Sequence, residues 1–145
     1  MSKNLTIAID EKWHRGKTGP VQVLGQCQLD IKAGELFVLL GESGCGKTTL
    51  IRLILGLDQD YLGSIQIDNQ RVAGPGADRG IVFQEPRLLP WMTVRQNIEF
   101  ALPPGISSEE SRKRSLDILS LVGLQDNNGS WPRELSGGMS QRAAL

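Results

Sequence analysis

The chain has 145 residues, of which 39% are apolar, and its 16 basic side chains are balanced by 16 acidic ones. That length allows one core of ordinary size, and the absence of net charge argues against a polyanion, hence against nucleic acid, as partner. No apolar run is long enough to cross a bilayer, and Met1 to Asn4 does not lead into the apolar stretch of an export signal, so the expected compartment is the cytoplasm.

Leu5, Ile7 and Ile9 alternate with Asn4, Thr6 and Ala8, and Cys27, Leu29 and Ile31 alternate with Gln26, Gln28 and Asp30. Both runs have the period of half-buried strands and are expected to be antiparallel neighbours. Between them Trp13 and His14 precede a polar, glycine-containing connection from Arg15 to Pro20. An aromatic face at Trp13 suits stacking on a purine, and equally suits anchoring the loop on the core; His14 is a second candidate for the stacking place.

Leu36 to Leu40 reads as a strand buried on both faces, after which Leu50, Leu53, Ile54 and Leu57 follow helical spacing. Between strand and helix lies Gly41-Glu42-Ser43-Gly44-Cys45-Gly46-Lys47-Thr48-Thr49, which satisfies G-x-x-x-x-G-K-S/T with one further glycine. Glycines let the backbone wrap closely and turn several N–H groups inward, and an anion held there meets the positive end of the following helix. Lys47 is placed to reach the β- and γ-phosphates of a nucleoside triphosphate, and the Thr48 hydroxyl to ligate Mg²⁺. A disulfide at Cys45 would obstruct that cradle, so Cys27 and Cys45 are expected to be free thiols.

Gly56 and Asp58-Gln59-Asp60 end the helical period, and Ile65 and Ile67 mark a half-exposed strand. Beyond Gly74-Pro75-Gly76, Ile81-Val82-Phe83 reads as a short buried strand with Gln84 at its carboxyl end, the edge at which open α/β sheets hold ligands. A glutamine there can coordinate Mg²⁺ and orient water without taking a proton. From Glu85 onward prolines punctuate the chain and the pattern becomes helical. Thr93 and Gln96 form a capping box, with Val94, Ile98, Ala101 and Leu102 on one stripe before Pro103. Ser107 and Glu110 repeat the signature ahead of Leu116, Leu119, Val122 and Gly123, and the mixed charges from Glu109 to Arg114 read as a solvated helix face. Leu135-Ser136-Gly137-Gly138-Met139-Ser140-Gln141-Arg142 then opens a new helix, where Ser136 and two residues without side chains offer a second anion site. Its continuation to Leu145 has no stop signal, and the sequence looks cut off there.

With G-E-S-G-C-G-K-T-T at 41–49, Gln84 after I-V-F, and L-S-G-G-M-S-Q-R at 135–142, the chain resembles the ATP-binding subunit of ABC transporters over essentially its whole length. The family more often has Gln at the position of Met139 and Tyr at that of Trp13. The resemblance implies an α/β fold: a P-loop NTPase (RecA-like) core with an antiparallel β subdomain over residues 1–90, and a helical subdomain over 91–145 that is incomplete after the signature motif. It implies that residues 41–49 bind ATP, that Thr48 and Gln84 serve Mg²⁺, that Trp13 stacks on adenine, and that Ser136, Gly137, Gly138 and Met139 contact ATP held by a second subunit in a head-to-tail dimer. Permease subunits in the membrane and a substrate-binding protein are the further partners implied, with the chain peripheral on the inner face of the membrane. The family's catalytic Glu and γ-phosphate-sensing His lie downstream of the signature, so the 145 residues alone are expected not to hydrolyse ATP. Phe83 to Val94 is similar to the corresponding segment of importers for nitrate, alkanesulfonates, taurine or thiamine precursors. A soluble ABC ATPase of translation or DNA repair is the alternative, disfavoured by the balanced charge and the lack of insertions. A GTPase or small-molecule kinase would carry Asn-Lys-x-Asp, absent here, and would leave the signature unexplained.

Overall fold

The alternating run that starts at Leu5 opens a 12-residue strand, β1 (Leu5–Gly16), in a computed structural model that describes residues 3–145. Chain contacts divide into two units, the first ending at Ile81 and the second spanning Val82–Leu145. In the first unit the amino-terminal half of β1 pairs antiparallel with β3 (Cys27–Ile31) on one side and β4 (Leu62–Ile67) on the other. Its carboxyl-terminal half pairs with β2 (Gly19–Leu24), so the connection expected from Arg15 to Pro20 is a hairpin in which Arg15 already faces Pro20 and only Lys17 and Thr18 form the turn. A short β5 (Gln70–Arg71) follows β4 through Asp68 and Asn69, both at positive φ as a tight hairpin turn of the primed type requires.

Ile7, Ile9, Ile65 and Ile67 turn one face of this sheet onto Leu50 and Leu53 of helix α1 (Lys47–Ile54), with Val72 completing the core. Each such side chain contributes roughly 1.5 to 3 kcal/mol by leaving water. Helix α1 stops at Gly56, whose φ of 72° lets Leu57 N–H reach back 2.9 Å to the Arg52 carbonyl. Leu57 therefore lies beyond the helix and is exposed, contrary to the apolar spacing.

Two expected strands do not form. Leu36 to Leu40 is irregular, with Leu36 89% and Leu40 85% exposed, and Ile81 to Phe83 is irregular and exposed as well. A strand covered on both faces stands only between hydrogen-bonded neighbours, because its own N–H and C=O groups have no partner within the segment. Among the described residues every strand pairing is antiparallel and none involves either run. Apolar composition alone did not order them.

In the second unit α2 (Val94–Ala101) has the expected capping box, with Thr93 Oγ1 accepting from Gln96 N–H and Thr93 N–H donating to Gln96 Oε1. Two more orphan donors at this terminus, Val94 and Arg95 N–H, reach the Ser130 and Asn128 carbonyls. Asn97 clasps the preceding turn: its Oδ1 accepts from Leu89 N–H at 2.7 Å while its Nδ2 donates to the carbonyls of Leu89, Met92 and Thr93. Helix α3 (Ser108–Leu121) is capped by Ser107 but lacks the reciprocal half of the box, since the Glu110 carboxylate turns to Arg114 at 2.7 Å. Val94, Ile98, Leu119 and Leu124 form the core between α2 and α3, and Met139 and Ala143 of α4 (Gly137–Ala143) pack on it. Leu116 is exposed, and the fully buried neighbour is Ser115, whose hydroxyl bonds to the Arg112 carbonyl and the Glu99 carboxylate. No helix among the described residues is long and apolar enough to cross a membrane.

Candidate functional site

The loop from Gly41 to Gly46 leads directly into α1. Gly44 and Gly46 both have positive φ, 84° and 98°, and Gly46 is the residue on which the helix starts. A side chain at Gly46 would also strike the Val23 carbonyl and Leu24, so the end of β2 holds the loop from behind. No side chain caps α1 and no acidic residue stands in its first turn, leaving its N–H groups and the positive end of its dipole without an internal counterpart. Lys47 spans the loop: its Nζ lies 2.6 Å from the Gly41 and Glu42 carbonyls and 3.5 Å from Cys45 Sγ. Thr48 is exposed on the first turn, with Thr49 half-buried beside it, while Glu42 and Ser43 are exposed on the rim. Both cysteines are free thiols, as expected.

Trp13 and His14 sit side by side where β1 pairs with β2, opposite Gln22 and Val21. Both line a cleft of about 550 Å³ with Gly16, Gly19, Pro20 and Asp60. Trp13 keeps 42% of its surface open. The structure leaves both aromatic candidates available.

Sequence reading missed a buried charge that touches Asp60, one of the residues lining that cleft. Lys12 is 2% exposed, its Nζ 3.0 Å from Asp58 Oδ1 and in contact with the Asp60 carbonyl and carboxylate. Burial alone pushes the Asp58 carboxyl up, but the Lys12 ammonium, the Asp60 N–H and more distant positive charge outweigh it and hold the group below its usual value. Strict alternation from Ile9 would turn Glu11 inward; a bulge at Asp10, where Ile9 faces Gly63 and Glu11 faces Leu62, shifts the parity so that Lys12 goes in.

Gln84 and the signature residues belong to the second unit. Gln84 is exposed in an irregular stretch rather than at the end of a strand, and its carbonyl accepts from Gln141 Nε2 at 3.4 Å. Nearby, the Arg87 guanidinium lies over the Phe83 ring at 4.6 Å. Ser136 Oγ accepts from Met139 N–H at 3.3 Å and so caps α4. Gly137 and Gly138 are exposed at ordinary backbone angles, and a Cβ on Gly137 would meet nothing within 4 Å, so neither packing nor backbone strain within this chain asks for glycine there. Another cleft, of about 480 Å³, lies between the end of α2 and the start of α3, but its Arg95 and Glu99 are already paired with each other.

A family model described as "ABC transporter" matches residues 24–145. The nitrate import ATP-binding protein NrtD of Synechocystis is 51% identical over 131 residues, covering 90% of this chain and 49% of that protein. The aliphatic sulfonates import ATP-binding protein SsuB of Bacillus subtilis is 42% identical over 141 residues, covering 97% of this chain and 54% of that protein. The chain thus spans about half the length of the curated relatives it matches. Among solved structures, the dimeric, post-hydrolysis ATP-binding cassette MJ0796 bound to ADP and Pi superposes with a TM-score of 0.80 at 31% identity, over 97% of this chain and 66% of that one. Glycine loop, signature helix and global similarity agree, and the chain belongs to the ABC transporter family.

Proposed function

We propose that this chain is the ATP-binding part of an importer subunit that couples MgATP binding and hydrolysis to uptake of a small anionic nutrient. The observation that carries the reading is the uncapped, acid-free start of α1 behind a loop with two positive-φ glycines and Lys47 at its centre. Gly41 to Thr49 take the triphosphate: backbone N–H groups and the helix end meet the phosphate oxygens, and the Lys47 ammonium exchanges its carbonyl partners for the β- and γ-phosphates. Thr48 Oγ1 and the Gln84 side chain would hold Mg²⁺ as hard oxygen ligands, and the ion would supply positive charge against the negative charge on the phosphoryl oxygens. Trp13, partly exposed in the cleft, or His14 beside it stacks on the base.

The exposed glycines after Ser136 support the second half of the reading. A surface that gains nothing internally from lacking side chains is suited to close approach by another molecule. Ser136, Gly137, Gly138 and Met139 meet the γ-phosphate of ATP held by a second copy, giving a head-to-tail dimer with two composite sites. Permease subunits and a substrate-binding protein complete the transporter, with this protein peripheral on the cytoplasmic face of the membrane. Relatives named for nitrate and aliphatic sulfonate import support an oxyanion cargo. The test is MgATP binding and phosphate release by the full-length protein and its Lys47→Ala variant. Loss of charge-assisted bonds worth roughly 1.5 to 3 kcal/mol should weaken binding about tenfold or more and abolish turnover. Equal turnover by both proteins would exclude this loop as the ATP site.

A further inference from the structure

The main chain of Asp60 is pinned while its side chain is open to water. Its N–H donates to Asp58 Oδ1 at 3.0 Å and its carbonyl accepts from Lys12 Nζ, so both backbone groups are fixed by the buried cluster. The Asp60 carboxylate is 95% exposed and meets the same ammonium at 3.4 Å, whereas Asp58 Oδ1 is nearer to it at 3.0 Å. An ion pair so exposed contributes little to stability. That carboxylate stands in the cleft of about 550 Å³ that Trp13 and His14 line. Of the other side chains lining the cleft, Trp13 and Arg15 can only donate hydrogen bonds and those of Gly16, Gly19 and Pro20 offer none, so Asp60 supplies its one carboxylate. The cleft also follows the glycine loop along a single hairpin. A side chain at Gly46 would strike Leu24, Leu24 pairs with Lys12, and Trp13, His14 and Gly16 come next on the same strand at about 3.3 Å per residue.

We propose that Asp60 selects the base, its carboxylate accepting a hydrogen bond from the exocyclic amino group of an adenine held in this cleft. The inference rests on the reading that Gly41 to Thr49 take the triphosphate and that Trp13 or His14 stacks on the base. Stacking alone tolerates every base, because each has a π face. Discrimination needs a group that meets the ring edge, and an ionised carboxylate is acceptor-only. It suits the N6 amino group of adenine, and it opposes the O6 carbonyl that guanine carries at the same place. Because the Asp60 backbone is already held on both sides, little ordering is needed to present the acceptor. The carboxylate stays hydrated when no amino group meets it, so the discrimination is that of one hydrogen bond and not of a buried unpaired charge.

The experiment measures the affinity of the full-length protein and of its Asp60→Ala, Asp60→Asn and Lys47→Ala variants for ATP, for GTP and for purine riboside triphosphate, which lacks the amino group, each with Mg²⁺. The parent should bind ATP about fivefold or more tightly than purine riboside triphosphate. Asp60→Ala should erase that margin by weakening ATP alone, whereas Asp60→Asn, which keeps an acceptor oxygen, should retain part of it. Equal weakening of both nucleotides by Asp60→Ala would assign the residue to holding Lys12 and overturn the proposal. An ATP margin that survives Asp60→Ala would overturn it as well, and so would tighter binding of GTP than of ATP by the parent. Lys47→Ala should weaken all three nucleotides alike, which supports the underlying reading whatever Asp60 does. Parental affinities in Lys47→Ala would overturn that reading, and this proposal with it.

Discussion

A buried ammonium is costly, and Lys12 is tolerated because the Asp58 carboxylate pairs with it and the Asp60 carbonyl accepts from it. The asymmetry of such clusters gives a testable outcome: Asp58→Ala should cost about 3 kcal/mol at neutral pH, because the ammonium left behind loses its main counter-charge. The sign of the acid dependence follows from the lowered Asp58 pKa. A carboxylate held below its ordinary value of 3.8 contributes stability above that pH, and the contribution is lost as the pH falls through the folded value. The parent's stability to urea should therefore fall as the pH drops below about 4, while Asp58→Asn, which has no charge to lose, should show a shallower acid limb. Identical acid limbs would exclude the cluster as a contributor.

Helix α2 shows how much of an element is written locally. Its capping box, its buried Val94 and Ile98 and its stop before Pro103 are short-range and present as expected, whereas Ala101, expected on the same stripe, is exposed and Leu102 is half-buried at the helix end. Replacing Thr93 by Ala removes the side-chain acceptor for Gln96 N–H and should cost about 1 kcal/mol, with Thr93→Ser retaining most of the stability. Chemical denaturation of the three proteins decides it; no difference between Ala and Ser would mean that the Val94 and Arg95 bonds to the 128–130 loop carry the terminus. The segment from Leu89 to Met92, which Asn97 grips with three hydrogen bonds, is tied to the same helix. That makes it a body able to move with α2 rather than a loose connection.

At the scale of the whole chain, the most consequential feature is apolar surface left in water. Leu36, Val38, Leu40 and Val82 are each more than half exposed, and Trp91, Phe100 and Leu121 add to them. Unpaired, strand-like apolar segments favour self-association. The purified 145-residue chain should therefore bind a hydrophobic dye and scatter light as its concentration rises. A monodisperse, dye-silent chain at high concentration would show that these segments are covered after all.

The sequence by itself determined the family, the glycine loop, the three N-capped helix starts and the half-buried strands β1, β3 and β4, because each rests on short-range chemistry: glycine at positive φ, a hydroxyl one turn before a backbone N–H, apolar residues at period two. Only the tertiary structure decided that Leu36 to Leu40 and Ile81 to Phe83 stay irregular, since a doubly buried strand depends on neighbours that its own residues do not encode. Tertiary structure also turned Lys12 inward through a bulge that alternation cannot foresee, and joined Gln141 to Gln84 across 57 residues. In both cases the partner is fixed by how distant segments meet, which no local pattern records.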